Sequence, residues 1–151
     1  MRLHVIAVGR QKPGPLKDVE SLYAKRIKFP LTIREVEERR KLSPAEMKER
    51  EGDLLLAALP KGAMLVALDG RGTALSSTGL AEKLGAWRDS GADPAFVLGG
   101  AEGLADAVLK AAKFKLSLGT MTWPHLLARG MLLEQLYRAQ QILDGHPYHR
   151  E

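Results

Sequence analysis

Residues 146–151 read HPYHRE and follow the helix-ending pair Asp144–Gly145. Two histidines, a tyrosine and an arginine gather around one proline, a dense cluster of titratable side chains. An imidazole can move a proton near neutral pH. A phenol can stack or donate a hydrogen bond, and a guanidinium can grip a phosphate or an oxyanion. Such a stretch is either a solvated tail or part of a site. A second set of residues bears on that choice. Three apolar runs end in glycine: LDGRG at 68–72, LGGAEG at 98–103 and LGTMTWPH at 118–125. Glycine lets a backbone approach a ligand closely and frees N–H donors near helix starts. One such glycine alone is best read as a tight turn or a cap. Three on successive strands point to a shared site. In TMTWPH, Met121 and Trp123 could wall a flat ring while backbone groups bind its edge, or they could plug the core. His125 and Arg129 follow closely, and His125 could equally cap the helix that starts there.

These residues need elements to hold them. LHVIAVG at 3–9 reads as a buried strand, and a helical stripe runs from Leu16 to Ile27. After Pro30, LTIREVE alternates as a half-buried strand. Ser43 and Pro44 make an N-cap and first-turn pair for a helix to about Leu59. AMLVALDGRG is then a strand running into a glycine-rich turn, and Ser77 or Thr78 opens a helix carrying Leu80, Leu84 and Trp87. PAFVLGGAEGL repeats the strand-then-glycine pattern and leads into a helix through Leu109. KLSLGTMTWPH repeats it again before a helix from about Pro124 to Leu143. Strands alternating with helices, the strands nearly all apolar, predict an α/β fold: a mostly parallel sheet with helices on both faces. Ligands in such sheets collect at the carboxyl ends of the strands, where the three glycine segments lie.

The last helix is apolar nearly all round, from Leu126 and Leu127 through Met131 to Leu143. Either it is central to one subunit, or a second subunit covers its extra face. Gly130 inside it marks close helix packing. His4, inside a strand, reads as structural.

At 151 residues without repeat or linker, the chain is read as a single domain over 1–151. It has no cysteine, so thiol nucleophiles, disulfides and cysteine metal sites are excluded, and no metal is expected. No apolar run is long enough for a signal peptide or membrane span, so a cytoplasmic setting is expected. The formal net charge is +5 and the pI is 9.6, above the rough threshold of ~9 for suspecting nucleic-acid binding. The cations are interleaved with acids, as in REVEERRK, so charge permits an RNA partner without naming one. The first strand ends in GRQKPGP, which does not fit the dinucleotide fingerprint, and no Walker A pattern occurs. A nucleotide-dependent oxidoreductase therefore has little support.

Taken together, LDGRG, FVLGGAEGL, LSLGTMTWPHLLARGMLLEQLYRAQQI and HPYHRE resemble the small knotted, SPOUT-class RNA methyltransferases. Among these the chain is similar to the ribosomal RNA large-subunit methyltransferase H family, over essentially its whole length and most strongly from Leu65 onward. The combination of GG-x-[EN]-G-L, MT-[FWL]-PH, LYRA and a YHRE-like ending is specific. Trp123 stands where other members carry Phe or Leu. The resemblance implies a C-terminal trefoil knot, an exception to the un-knotted rule, and a homodimer with its active sites near the subunit interface. It implies an S-adenosylmethionine-dependent enzyme that methylates N3 of a pseudouridine in 23S rRNA, in the large subunit or the assembled ribosome. By motif, cofactor contacts fall on Leu68, Gly99, Gly100, Leu118, Gly119, Thr120, Met121, Thr122 and Trp123.

Transfer to N3 is a displacement, so alignment of donor and acceptor matters most. N3 must also lose its proton, either to a base or with donors that stabilise the anion on the flanking oxygens. His149 is the preferred base, held with His146 over the cofactor mouth. Tyr148 would stack on or hydrogen-bond the nucleobase, and Arg150 would hold phosphate or O⁻. Arg138 could contact RNA or the partner subunit. The alternatives are a methyltransferase of the same fold acting on another RNA nucleotide, and a non-catalytic RNA-binding or ribosome-assembly module.

Overall fold

A computed structural model describes residues 1–151. Five parallel strands run β1 (Leu3–Val8), β2 (Leu31–Val36), β3 (Met64–Ala74), β4 (Pro94–Leu98) and β5 (Phe114–Ser117). They pair in the order β2-β1-β4-β3-β5. Helices alternate with them: α1 (Pro15–Arg26), α2 (Pro44–Ala58), α3 (Ser77–Asp89), α4 (Asp106–Ala111) and α5 (His125–Leu143). Because strand side chains alternate between faces, the sheet divides the core in two. Val5, Val66, Phe96 and Leu116 meet α1, α3 and α5 on one face. Ile6, Leu65, Ala67 and Val97 meet α2 and α4 on the other. The α/β reading and the parallel sheet covered on both faces hold.

Two local expectations are corrected. LDGRG is not a turn: β3 continues to Ala74, and its register against β5 shifts between Leu68 and Thr73. A bulge absorbs the glycines that a lone sequence reads as an exit. The next helix opens at Ser77 as expected, capped by Ser76, whose hydroxyl accepts the Gly79 N–H at 3.0 Å. β2 does not alternate, because it is an edge strand with only Leu31 and Val36 half-buried and the four residues between them exposed. Ser43 caps α2 as expected.

α5 packs between α1 and α3 and buries Leu132, Leu133 and Leu136 completely. At Gly130 an added Cβ would lie 2.9 Å from Val19 Cγ1 of α1, so the close helix approach requires glycine. Leu127 and Met131, on the same helix, are only half-buried. They border an apolar groove of about 470 Å³ with Val19, Leu75, Leu118 and Gly119. Most of α5 is therefore central to the monomer, and one strip of it is not covered. No helix is long and apolar enough to cross a membrane.

Candidate functional site

The carboxyl ends of β4, β3 and β5 lie side by side in the sheet, so the three glycine segments converge. A cleft of about 490 Å³ opens there, within the ~300–1,000 Å³ range of small-molecule sites. Leu68, Gly99, Gly100, Leu118, Gly119, Thr120, Met121, Thr122 and Trp123 all line it. Its walls are apolar at Leu68, Leu98, Leu116 and Leu118, and Met121 is 72% exposed above them. That exposure argues against a core plug. Trp123 is also largely outside the core, and its indole N–H donates to the Leu118 carbonyl at 3.3 Å, folding the 118–123 segment onto itself.

Two devices hold the rim. The Ser117 hydroxyl accepts the Gly119 N–H at 3.1 Å and lies 3.2 Å from the Gly70 carbonyl oxygen, tying the end of β5 to the β3 bulge. Across the cleft, Gly99 packs against its own turn: a Cβ there would sit 2.7 Å from the Gly103 carbonyl oxygen. Behind the turn stands Glu51 of α2, buried, with Oε1 unpartnered. Burial, then the neighbouring Glu102 charge, pushes its carboxyl above the ordinary range. Sequence reading passed over Glu51, because an acid on a charged helix looks solvated. Asp69 was also missed. Burial alone would raise its pKa, but the Arg71 N–H and guanidinium, with the Lys115 charge, hold it below the usual carboxylate range. A carboxylate thus stays ionised at the cleft edge.

His125 lines the cleft at the start of α5, and burial followed by the Arg129 charge lowers its pKa. It is neutral at pH 7. Arg129 itself is 1% exposed. Its guanidinium donates to Glu35 Oε2 at 2.5 Å, to the Val8 carbonyl at 3.0 Å and to the Gly9 carbonyl at 2.6 Å. Glu20 lies 4.0 Å away, and Gln11 bridges Glu35 to the Leu126 carbonyl. Arg129 is therefore a brace between α5 and the ends of β1 and β2, not a ligand-facing group. His4 is structural, with its Nδ1 2.6 Å from Thr32 Oγ1.

The tail is ordered by α5. Tyr148 packs edge-on against Tyr137 at 4.7 Å, and its hydroxyl donates to Glu134 Oε1 at 3.1 Å. Burial, with Tyr23 and the Glu134 carboxylate adding to it, pushes the phenol up to about 12. Tyr148 keeps its proton at neutral pH. Arg138 donates to Glu134 at 2.6 Å and stands 3.1 Å from His149 Nδ1. Arginine has no acceptor, so Nδ1 must accept, and the neutral ring carries its proton on Nε2. That Nε2 is buried without a hydrogen-bond partner. His146 and Arg150 are exposed. Glu134 and Arg138, which sequence reading gave no such role to or left as an RNA contact, are what hold the tail.

Cleft and tail do not meet within one chain. No residue of 146–151 lines the cleft. Glu134, the tail's anchor, lies nine residues beyond His125 on α5, about 13 Å at ~1.5 Å per residue. No group of His, Cys, Asp or Glu gathers as a metal site would.

The family model described as "Predicted SPOUT methyltransferase" matches residues 1–149. The chain is 58% identical over 151 residues to the ribosomal RNA large subunit methyltransferase H of Rhodospirillum centenum, covering 99% of both chains. Among solved structures it is similar in fold to a probable methylase family protein from Haemophilus influenzae. That likeness has a TM-score of 0.60 at 11% identity, over 99% of this chain and 70% of that one. It is similar also to a ribosomal RNA small subunit methyltransferase E from Neisseria gonorrhoeae bound to S-adenosyl methionine. There the TM-score is 0.50 at 14% identity, over 95% of this chain and 66% of that one.

Proposed function

Since the chain belongs to the SPOUT methyltransferase family, we propose that it methylates N3 of a pseudouridine in large-subunit ribosomal RNA. The donor is S-adenosylmethionine, and the enzyme works in the cytoplasm as a homodimer. The observation that carries the reading is the near-complete, 58% identical match to a large-subunit rRNA methyltransferase. The family's C-terminal trefoil knot belongs to the same proposal.

The cleft suits the cofactor. Its apolar walls fit a nucleoside, and the ionised Asp69 at its edge fits a cationic ligand. When bound, S-adenosylmethionine supplies a methyl group activated by a sulfonium. The chain's own residues must align the acceptor and help it lose the N3 proton. The tail is suited to the second task by donation. With Nδ1 engaged by Arg138, the neutral His149 carries on Nε2 a proton that is buried and unpartnered in the single chain and would donate once the tail rearranges onto a cleft, and Arg150 adds an exposed guanidinium. Both can stabilise negative charge spread onto the carbonyl oxygens beside N3. His149 would act as a base only after giving up Arg138. Separation of cleft and tail in one chain supports the dimer, in which each cleft is completed by the other subunit's tail. The uncovered strip at Leu127 and Met131 offers an apolar face for it.

The test is methyl transfer to large subunits and ribosomes lacking the modification, followed by digestion and mass spectrometry of the RNA. One methyl group on pseudouridine N3 is expected. A methyl group on another nucleotide selects the same-fold alternative, and failure to bind S-adenosylmethionine selects a non-catalytic RNA-binding module. A second prediction concerns Gly99. In Gly99→Ala the added Cβ must push the Gly103 carbonyl away. Titration calorimetry should show cofactor affinity reduced about tenfold or more, corresponding to ~1.4 kcal/mol. Unchanged affinity would remove Gly99 from the site.

A further inference from the structure

Several cations on this surface are answered by acids. In the EERRK stretch, Glu37 pairs with Arg10 and Arg39, and Glu38 pairs with Arg40 and Arg50. The outer edge of the sheet at β5 differs. Lys113, immediately before β5, and Lys115 within it are two residues apart, and both are exposed. Phe114 and Leu116 point into the core. Neither lysine has a carboxylate within salt-bridge distance. α4 spans only Asp106–Ala111, and both lysines remain uncovered beyond it. The β3 bulge brings Arg71 beside them, and Arg71, Lys113 and Lys115 line one shallow depression of about 400 Å³. Its only nearby acid is Asp69, which lies 3.4 Å from the Arg71 guanidinium. Three cations against one anion leave a local charge of +2. On the opposite side of β5, Lys83 stands 4.5 Å from the Phe114 ring centroid.

Arg71 also lines the cofactor cleft. The basic depression and the cleft are therefore contiguous, with one arginine between them. We propose that Arg71, Lys113 and Lys115 form a phosphate-binding track that holds the RNA backbone beside the nucleotide being methylated. The track rests on the reading of this chain as an RNA methyltransferase and adds the surface by which substrate is gripped. The chemistry favours phosphodiester. Two ammonium groups act as point charges and the guanidinium as a fork, spaced along an edge as phosphates are spaced along a strand. An ordinary solvated patch would carry acids among the cations, as the EERRK surface does.

The experiment compares Lys113→Ala/Lys115→Ala with Lys41→Ala/Lys61→Ala, a pair of exposed, unpaired lysines elsewhere that loses the same charge. Methyl transfer to naked large-subunit RNA and to intact subunits is followed across salt concentrations. For the track variant, KM for RNA should rise about tenfold near 0.15 M salt, with kcat and S-adenosylmethionine affinity unchanged. The slope of log affinity against log salt should become shallower by about 1.4–1.8, at ~0.7–0.9 per lost phosphate contact. Equal KM and slope in the two variants would overturn the track. A rise in KM for intact subunits but not for naked RNA would overturn it as well, because the lysines would then be meeting a protein. Absence of transfer by the unaltered chain would instead sink the functional reading itself.

Discussion

A chain ending at Gly145 is expected to bind S-adenosylmethionine with unchanged affinity and to transfer methyl at least about 10³-fold more slowly. The cleft contains none of the deleted residues, so the cofactor should not sense their loss. What disappears is the Nε2–H of His149 and the guanidinium of Arg150, the donors assigned to the acceptor's developing charge. Loss of one such donor costs roughly 10²–10³ in rate. The truncation also exposes Tyr137 and frees Glu134 and Arg138, a change of about 1–2 kcal/mol in stability. That is too small to unfold an ordinary domain. Mixing sharpens the result. When the truncated chain is combined with Gly99→Ala, one site of each mixed dimer unites an intact cleft with an intact tail. At S-adenosylmethionine concentrations too low to fill the Gly99→Ala cleft, activity on mixing should exceed that of either parent. No recovery would mean that the tail serves its own cleft, and normal turnover by the truncated chain alone would remove the tail from catalysis.

The largest effect on stability is expected at Arg129. Arg129→Met keeps the volume but leaves Glu35 and Glu20 without their cation, and the carbonyls of Val8 and Gly9 without a donor. Breaking a buried pair from one side costs about 3–5 kcal/mol, which lowers Tm by roughly 6–20 °C in a domain of this size. The pH dependence identifies the cause. In the native protein, burial would raise the Glu35 pKa, but the Arg129 hydrogen bond and the Gln11 N–H outweigh it and hold it low. A depressed carboxylate contributes stability that is present above its unfolded pKa and lost as pH falls through its folded value. Without Arg129 the depression that its hydrogen bond and charge supply is lost. The variant then lacks stability that the native protein holds above the unfolded value of about 4.3. Its deficit in Tm should be widest near pH 7 and narrow as pH falls below about 4.3. A constant deficit would assign the loss to packing instead.

Much of this was legible before any coordinates. Gly99 and Gly119 close apolar runs, and such punctuation places loops at strand ends whatever the fold. The alternation of strands and helices then puts those loops on one edge. Other features needed the third dimension. The bulge in β3 is defined by its pairing with β5, and nothing in LDGRG distinguishes a bulge from a turn. Arg129 meets Glu35 across 94 positions of sequence. In a sequence, a buried guanidinium and a solvated one look the same. The tail announced its chemistry through residue type alone. Which cleft it serves is a matter of distance along α5, and no motif encodes that.

Leu118 and Gly119 line both the cofactor cleft and the apolar groove beside α5. In the proposed dimer, a single thickness of backbone would have a ligand on one side and a neighbouring protomer on the other. Neither occupant could settle without setting the shape the other meets, so the free energies of association and of ligand retention would not be separate quantities. In such a dimer, quaternary structure would be part of the binding constant.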